Sequence, residues 1–255
     1  MLTVAIIASG TDYQAAAALT AATFARHVPV PAGVSVWLPE GEFQQDGLAI
    51  AGMKHGFVMR HFPFRQVSDQ KFTSQLKCQA FVAAVARTQP DDLLFIVDAD
   101  TCCLQPLAVP EAIAQAVLGG KLALAPDIED RHFPSPEDPW YLPPEGRLPY
   151  VNSGVILTGR RALDLFVEFR DLSEQPRFLH GPFNDQKVIN YALGKSHRHR
   201  FVALPAEYNA ILPHPQPLIA HFAGGAGELG RPGNSRKETH RQLCHRVLQR
   251  PAPVN

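Results

Sequence analysis

The chain has 255 residues, enough to bury a sizeable core in one large α/β domain or two small ones. Hydrophobic residues make up 45% and charged residues 19%, an ordinary balance for a soluble globular protein, and no stretch reaches the roughly 20 apolar residues a membrane helix needs. With 24 basic and 24 acidic side chains the formal charge is zero, so no overall field draws the chain to nucleic acid or an anionic membrane.

In chain order, residues 3–8 read as a strand, 13–26 as an alanine-rich helix and 33–38 as a second strand. The opening is apolar only as far as Ala8 and lacks a basic lead, so it reads as a buried strand rather than a signal peptide. Residues 47–55 fit a short helix, 57–61 a strand, and 71–87 a helix with apolar positions at Leu76, Ala80, Phe81, Ala84 and Val85. The run Leu-Leu-Phe-Ile-Val over 93–97 is the pattern of a strand buried on both faces. Strand and helix patterns alternate in this way when a largely parallel sheet is covered by helices. Residues 121–125 form another strand, and 126–149, rich in proline, a long loop tipped by Trp140 and Tyr141. That loop is expected to act as a lid. Beyond it, 151–157 is strand-like, 160–171 and 184–193 are helical, and 218–222 is a late strand before Gly224-Gly225-Ala226-Gly227. Residues 1–233 are expected to form one domain, with 234–255 as a basic tail or exposed helix. Cys78, Cys102, Cys103 and Cys244 have no metal-type spacing and read as reduced thiols of a cytoplasmic protein.

The buried strand runs into Asp98-Ala99-Asp100. Ligands of open α/β sheets bind beyond the carboxyl ends of the strands, and two carboxylates placed there can converge on one hard cation. A diphosphate leaving group needs such a cation as its charge grows. The same pair can also cap a helix. A haloacid dehalogenase-type phosphatase also uses such a pair, with one carboxylate as nucleophile and the other as acid, and is the disfavoured alternative. Against that stand Thr101-Cys102, where the phosphatase motif continues x-Thr or x-Val, and the position of the pair far from the start.

Four more segments occur in order with the acidic pair: Ala8-Ser-Gly-Thr-Asp-Tyr13, Tyr150-Val-Asn-Ser-Gly-Val-Ile-Leu157, Asn184-Asp-Gln-Lys-Val-Ile-Asn190, and Leu204-Pro205 with Tyr208-Asn209 before His221-Phe-Ala-Gly224. Together they resemble glycosyltransferase family 8, GT-A enzymes that include glycogenin and bacterial galactosyltransferases. The resemblance implies a GT-A-like α/β fold, a mainly parallel sheet and transfer with retention from a nucleotide diphosphate sugar, most readily a UDP-sugar. The acceptor would be a glycan, a lipid-linked sugar or a protein.

The resemblance also implies roles. Asp98, Asp100 and His221 would hold Mn²⁺, which suits mixed carboxylate and imidazole ligands better than Mg²⁺ does. Ser9 and Tyr13 would meet the nucleoside, Tyr13 by stacking, although a ring at a helix start also serves packing. Ala99 would contact the donor, and Lys77 would neutralise donor charge or be a solvated helix lysine. Asn152, Ser153 and Gly154 would face sugar hydroxyls, Asn-Ser-Gly being poor chemistry for a plain strand. Asp185 and Gln186 would lie beneath the reacting sugar, Asp185 otherwise serving only to cap its helix, and Asp127 would add a sugar contact. The family's His-Phe-x-Gly-x-x-Lys-Pro-Trp is altered: Gly227 stands in place of the lysine, and the tryptophan is absent. Arg231 would then clasp the diphosphate, with Gly224 allowing close approach. Lys187 replaces the second acid of Asp-Gln-Asp. These departures leave open a non-catalytic module that only binds a nucleotide sugar. Residues 196–200, Ser-His-Arg-His-Arg, read as a solvated loop, and the tail with Arg236, Lys237, Arg241, Arg246 and Arg250 allows weak contact with anionic lipid.

Overall fold

The computed structural model describes residues 1–28, 33–42, 44–65, 73–127, 141–142, 148–178, 184–211, 214–222 and 235–251. Strand β1 (Leu2–Ile7) leads into helix α1 (Thr11–His27), followed by β2 (Val34–Pro39), α2 (Asp46–His55) and β3 (Val58–Phe62). Helix α3 (Thr73–Ala86), strands β4 (Leu93–Asp98) and β5 (Thr101–Cys103), helix α4 (Glu111–Leu118) and strand β6 (Leu122–Pro126) complete the first half. Then come β7 (Val151–Gly159), α5 (Leu163–Ser173), α6 (Asn184–Ser196), β8 (Phe201–Ala203), β9 (Ala210–Ile211), β10 (Ile219–His221) and α7 (Ser235–Gln249). The expected elements are present within a few residues of their bounds. Helix α4 and the short strands β5, β8 and β9 have no counterpart in the sequence reading. They are too brief for a periodic signal to build up.

The main sheet has seven strands in the order β3-β2-β1-β4-β7-β6-β8. All its pairings are parallel except those of β7, which runs antiparallel to both β4 and β6. Strand alternation sends Ala5, Ile7, Leu94, Ile96, Leu122 and Ile156 to one face. There they meet α3, α5 and α6 through residues such as Phe81, Phe166 and Ile189. Val4, Ile6, Phe95, Val97 and Leu157 point to the other face, against α1, α2 and α4. Alanines 17 and 21 of α1 let that helix lie close on the sheet, and Asp12 near its start with Arg26 in its last turn complement its dipole.

A second sheet, β5-β10-β9, sits at the carboxyl edge of the first. Its antiparallel pairing sets His221 beside Thr101, directly after the acidic pair. Helix α7, expected to be exposed, buries one face: His240, Cys244 and Val247 are shielded, and Cys244 and Val247 pack with Cys102, Ala220 and Phe222. The 196–200 segment is not a free loop either. Arg200 donates to the Gly120 carbonyl at 2.7 Å and to Asp164 at 3.0 Å, and His197 Nε2 lies 2.7 Å from Glu168. All four cysteines are buried free thiols. No helix among the described residues is long and apolar enough to cross a membrane.

Candidate active site

The strand order reverses between β1 and β4: β2 and β3 extend to one side, β7 and its neighbours to the other. A crevice opens at such a switch point beyond the carboxyl ends of the strands. Ile7 pairs with Asp98, so the two segments that leave this edge are Ala8-Ser9-Gly10 and Ala99-Asp100. Gly10 takes φ 82°, a conformation that costs glycine nothing, and turns the chain into α1. Its backbone N–H donates to Glu42 at 2.6 Å, and the Ser9 hydroxyl and Gln14 amide donate to the same carboxylate at 2.8 Å. Glu42 therefore fixes the loop that carries Ser9. Nothing in the sequence reading had marked it.

One oxygen each from Asp98 and Asp100 and one ring nitrogen of His221 lie within 4.8 Å of one another. His221 Nε2 is 3.9 Å from Asp98 and 3.6 Å from Asp100. A proton count fixes the ring. The Gly154 N–H can only donate, and it donates to Asn152 Oδ1 at 2.8 Å. Asn209 Nδ2 donates to that same oxygen at 3.0 Å, so Asn209 turns its own Oδ1 toward His221 Nδ1, 2.8 Å away. Nδ1 must then carry the hydrogen. The lone pair of the neutral ring is left on Nε2, facing the two carboxylates.

Gly154 sits against this ring. A Cβ there would come 2.0 Å from His221 Cε1, so the glycine leaves room for the imidazole. Asn152, for its part, spends its carbonyl oxygen on Gly154 and Asn209.

A second network runs beneath. Lys77 Nζ lies 2.9 Å from both Asp98 and Asp185, and the Ser153 hydroxyl donates to Asp185 at 2.9 Å. Lys77 is thus an ion-paired cation between two acids rather than a solvated helix lysine. Gln186 uses both ends of its amide, accepting from Ser153 N–H at 3.2 Å and donating to Asp127 at 2.9 Å. Asp127, Ser153, Asp185 and Gln186 are therefore joined in one cluster just after β6, on β7 and in the first turn of α6. Asn190, one turn on, donates to and accepts from the Val151 backbone at 2.8 Å each way and ties α6 to β7.

The charges respond to one another. Burial works against the Lys77 ammonium, but Asp185 and Asp98 hold it above its ordinary value. Burial likewise opposes the Asp185 carboxylate, and Lys77 pulls it below the usual range. Burial pushes Asp98 up despite Lys77, and Asp100 adds to that push. His221 is raised against burial by the Asp100 and Asp98 carboxylates. Tyr13 is pushed up to about 12 by burial and then by Asp100 and Asp98, which sets its hydroxyl within their field. From the first turn of α1 it also packs, half-buried, against the core on that side of the sheet, so its packing role and its place near the acidic pair coexist.

The structure thus brings together Tyr13, Lys77, Asp98, Ala99, Asp100, Asp127, Asn152, Ser153, Gly154, Asp185, Gln186 and His221, with Ser9 at the next strand end. Gly224, Arg231, Lys-replacing Gly227, Trp140 and most of the 126–149 loop lie outside the described residues. Asn209 and Glu42 are additions. Asn209 stood in the sequence as part of a tetrad of spaced segments, with no sign that it would orient a histidine.

No protein-family model matches the chain, and no curated protein matches it in sequence. Solved structures do match. The galactosyltransferase LgtC, in complex with donor and acceptor sugar analogs, aligns with a TM-score of 0.65 at 15% identity over 97% of each chain. GlyE of Streptococcus pneumoniae aligns at 0.62 and 15% identity, covering 99% of this chain and 65% of that one. The apo bifunctional glycosyltransferase WbbM aligns at 0.60 and 15% identity, over 88% and 46%. The fold is that of LgtC-like GT-A glycosyltransferases, a large mixed sheet flanked by helices.

Proposed function

We propose that the protein is a metal-dependent glycosyltransferase, moving a sugar with retention from a nucleotide diphosphate donor, best met by a UDP-sugar, to a glycan, lipid-linked or protein acceptor. The observation that carries this reading is the convergence of Asp98, Asp100 and His221 Nε2 at the topological switch point. Two hard oxygens and one imidazole nitrogen fit Mn²⁺ better than Mg²⁺, which prefers oxygen alone. When bound there, the cation would offset the charge that grows on the leaving diphosphate.

The chain's own residues do the rest. Asp98, Asp100 and His221 hold the cation, and Asn209 keeps the lone pair of His221 turned toward it. Lys77 restrains Asp98 and Asp185 together, so the acid beneath the sugar is fixed relative to the acid at the cation. Asp185 or Gln186 stabilises the oxocarbenium-like state of the sugar, and Ser153 and Asp127 keep both side chains in place. Ser9 and Tyr13 receive the nucleoside, while Ala99, Asn152, Ser153 and Gly154 line the donor path. Arg231 and Gly224 are assigned to the diphosphate from sequence alone.

Ligand linkage tests this reading. UDP with Mn²⁺ at about a hundred times its dissociation constant is expected to add about 2.7 kcal/mol, a rise in Tm of roughly 5–10 °C for a chain of this size. UDP with chelator should shift Tm by far less. An equal shift in the two conditions would leave the cation without a role in donor binding.

A further inference from the structure

We infer that His240 of α7 and Thr20 of α1 are positioning residues of the cation site, holding the backbone turn that presents Asp98 and Asp100. This rests on the metal-site reading above and goes beyond it, since it makes the C-terminal helix part of the site. The turn from Asp98 to Thr101 has four carbonyl groups, and each has a donor. The Asp98 carbonyl accepts from the Thr101 hydroxyl at 2.8 Å, and the Asp100 carbonyl accepts from Phe222 N–H at 3.1 Å. The other two depend on distant helices. The Thr20 hydroxyl lies 2.7 Å from the Ala99 carbonyl and 2.6 Å from the Thr101 carbonyl.

A hydroxyl has one proton, so Thr20 cannot satisfy both oxygens by itself. The second proton comes from His240. Its Nε2 is 3.0 Å from the Thr101 carbonyl and 3.3 Å from Thr20 Oγ1. A carbonyl only accepts, so Nε2 carries the hydrogen there, and Thr20 is free to serve Ala99. All of this happens away from water: Thr20 and Thr101 are fully buried and His240 is 2% exposed. A buried carbonyl left without a donor costs more than the bond contributes, so the turn would shift to find one. The ring of His240 also meets Phe222 edge-on, with centroids 5.3 Å apart. His240 therefore touches the residue after Asp100 and the residue after His221, and one side chain braces the two segments that follow these ligands.

Outer partners of this kind typically change metal affinity ten- to a hundred-fold. The test is a titration of the full chain with Mn²⁺, read by the electron paramagnetic resonance of the free ion, with Tm measured alongside. His240→Leu, which keeps the bulk and removes the donor, should weaken Mn²⁺ binding about ten-fold or more. His240→Gln can place an amide N–H at a similar reach and should bind within about three-fold of the parent. Thr20→Val should weaken binding in the same direction as His240→Leu, and it carries the test if the histidine variant does not fold. Unchanged affinity in His240→Leu or in Thr20→Val overturns the inference, as does a loss that His240→Gln fails to restore. Asp100→Asn separates the two levels. If it abolishes binding while the His240 and Thr20 variants bind normally, the metal site stands and the positioning role falls. If the parent chain itself binds no Mn²⁺, the metal-site reading fails and the positioning role falls with it.

Discussion

Asp100→Asn is expected to lower donor turnover by about a thousand-fold or more while the protein stays folded, because it would remove a proposed cation ligand and the charge stabilisation that depends on it. Asparagine keeps the volume of the buried side chain, so no cavity is created. Asp100 is the better choice for this test than Asp98. Asp98 pairs with Lys77 at 2.9 Å, and neutralising it would leave a partly buried ammonium facing Asp185 alone. The resulting strain on folding would mix with any catalytic effect. Asp100 has no lysine or arginine among its ion-pair partners within the described residues, only His221 at 3.6 Å. Turnover measured over a series of Mn²⁺ concentrations, with Tm in parallel, checks the outcome. Turnover close to that of the parent would remove Asp100 from the site.

Gly154→Ala is expected to be nearly as severe, although it adds a single methyl group. The backbone at Gly154 is ordinary strand, so alanine meets no conformational penalty there. The obstacle is the ring: the new Cβ would fall 2.0 Å from Cε1, 2.5 Å from Nδ1 and 2.6 Å from Nε2 of His221. His221 is 4% exposed and tethered to Asn209, so it has little room to yield. Either the imidazole leaves its place beside Asp98 and Asp100, or β7 moves away from β10. In both cases Mn²⁺ affinity should drop by about a hundred-fold or more, on the scale of losing a well-held site element. Far-UV circular dichroism and a Mn²⁺ titration together test this. A variant that binds Mn²⁺ as the parent does would mean that His221 is not a ligand.

Strong repeating signals made much of the fold readable. The apolar run 93–97 and the alanine-rich 13–26 each have one structural meaning, and both elements formed within a few residues of the expected bounds. The acidic pair was visible because it follows such a strand directly. What could not be read is what depends on distant elements meeting. Strand β7 was recognisable as a strand, but its antiparallel sense is set by neighbours that lie far off in sequence. Asn209 orients His221 only because a 3-10 turn brings it under β10, and Glu42 reaches Ser9 only across the β2 connection. Thr20 gave a faint hint as a polar residue within an apolar helix face. His240 gave none, since arginines and a lysine around it made the segment look solvated. Gly154 was noticed, but its use as space for a ring requires knowing where His221 lies.

Transfer chemistry at a metal-dependent site is tested most directly by product release from a panel of nucleotide sugars with Mn²⁺ or with chelator. One or more donors, UDP-sugars foremost, are expected to release nucleoside diphosphate only when Mn²⁺ is present, and acceptor sugars are expected to accelerate the release. A phosphatase would instead free inorganic phosphate from a monoester such as p-nitrophenyl phosphate. No diphosphate from any donor at saturating Mn²⁺, or release that chelator leaves unchanged, would contradict metal-dependent sugar transfer at this site.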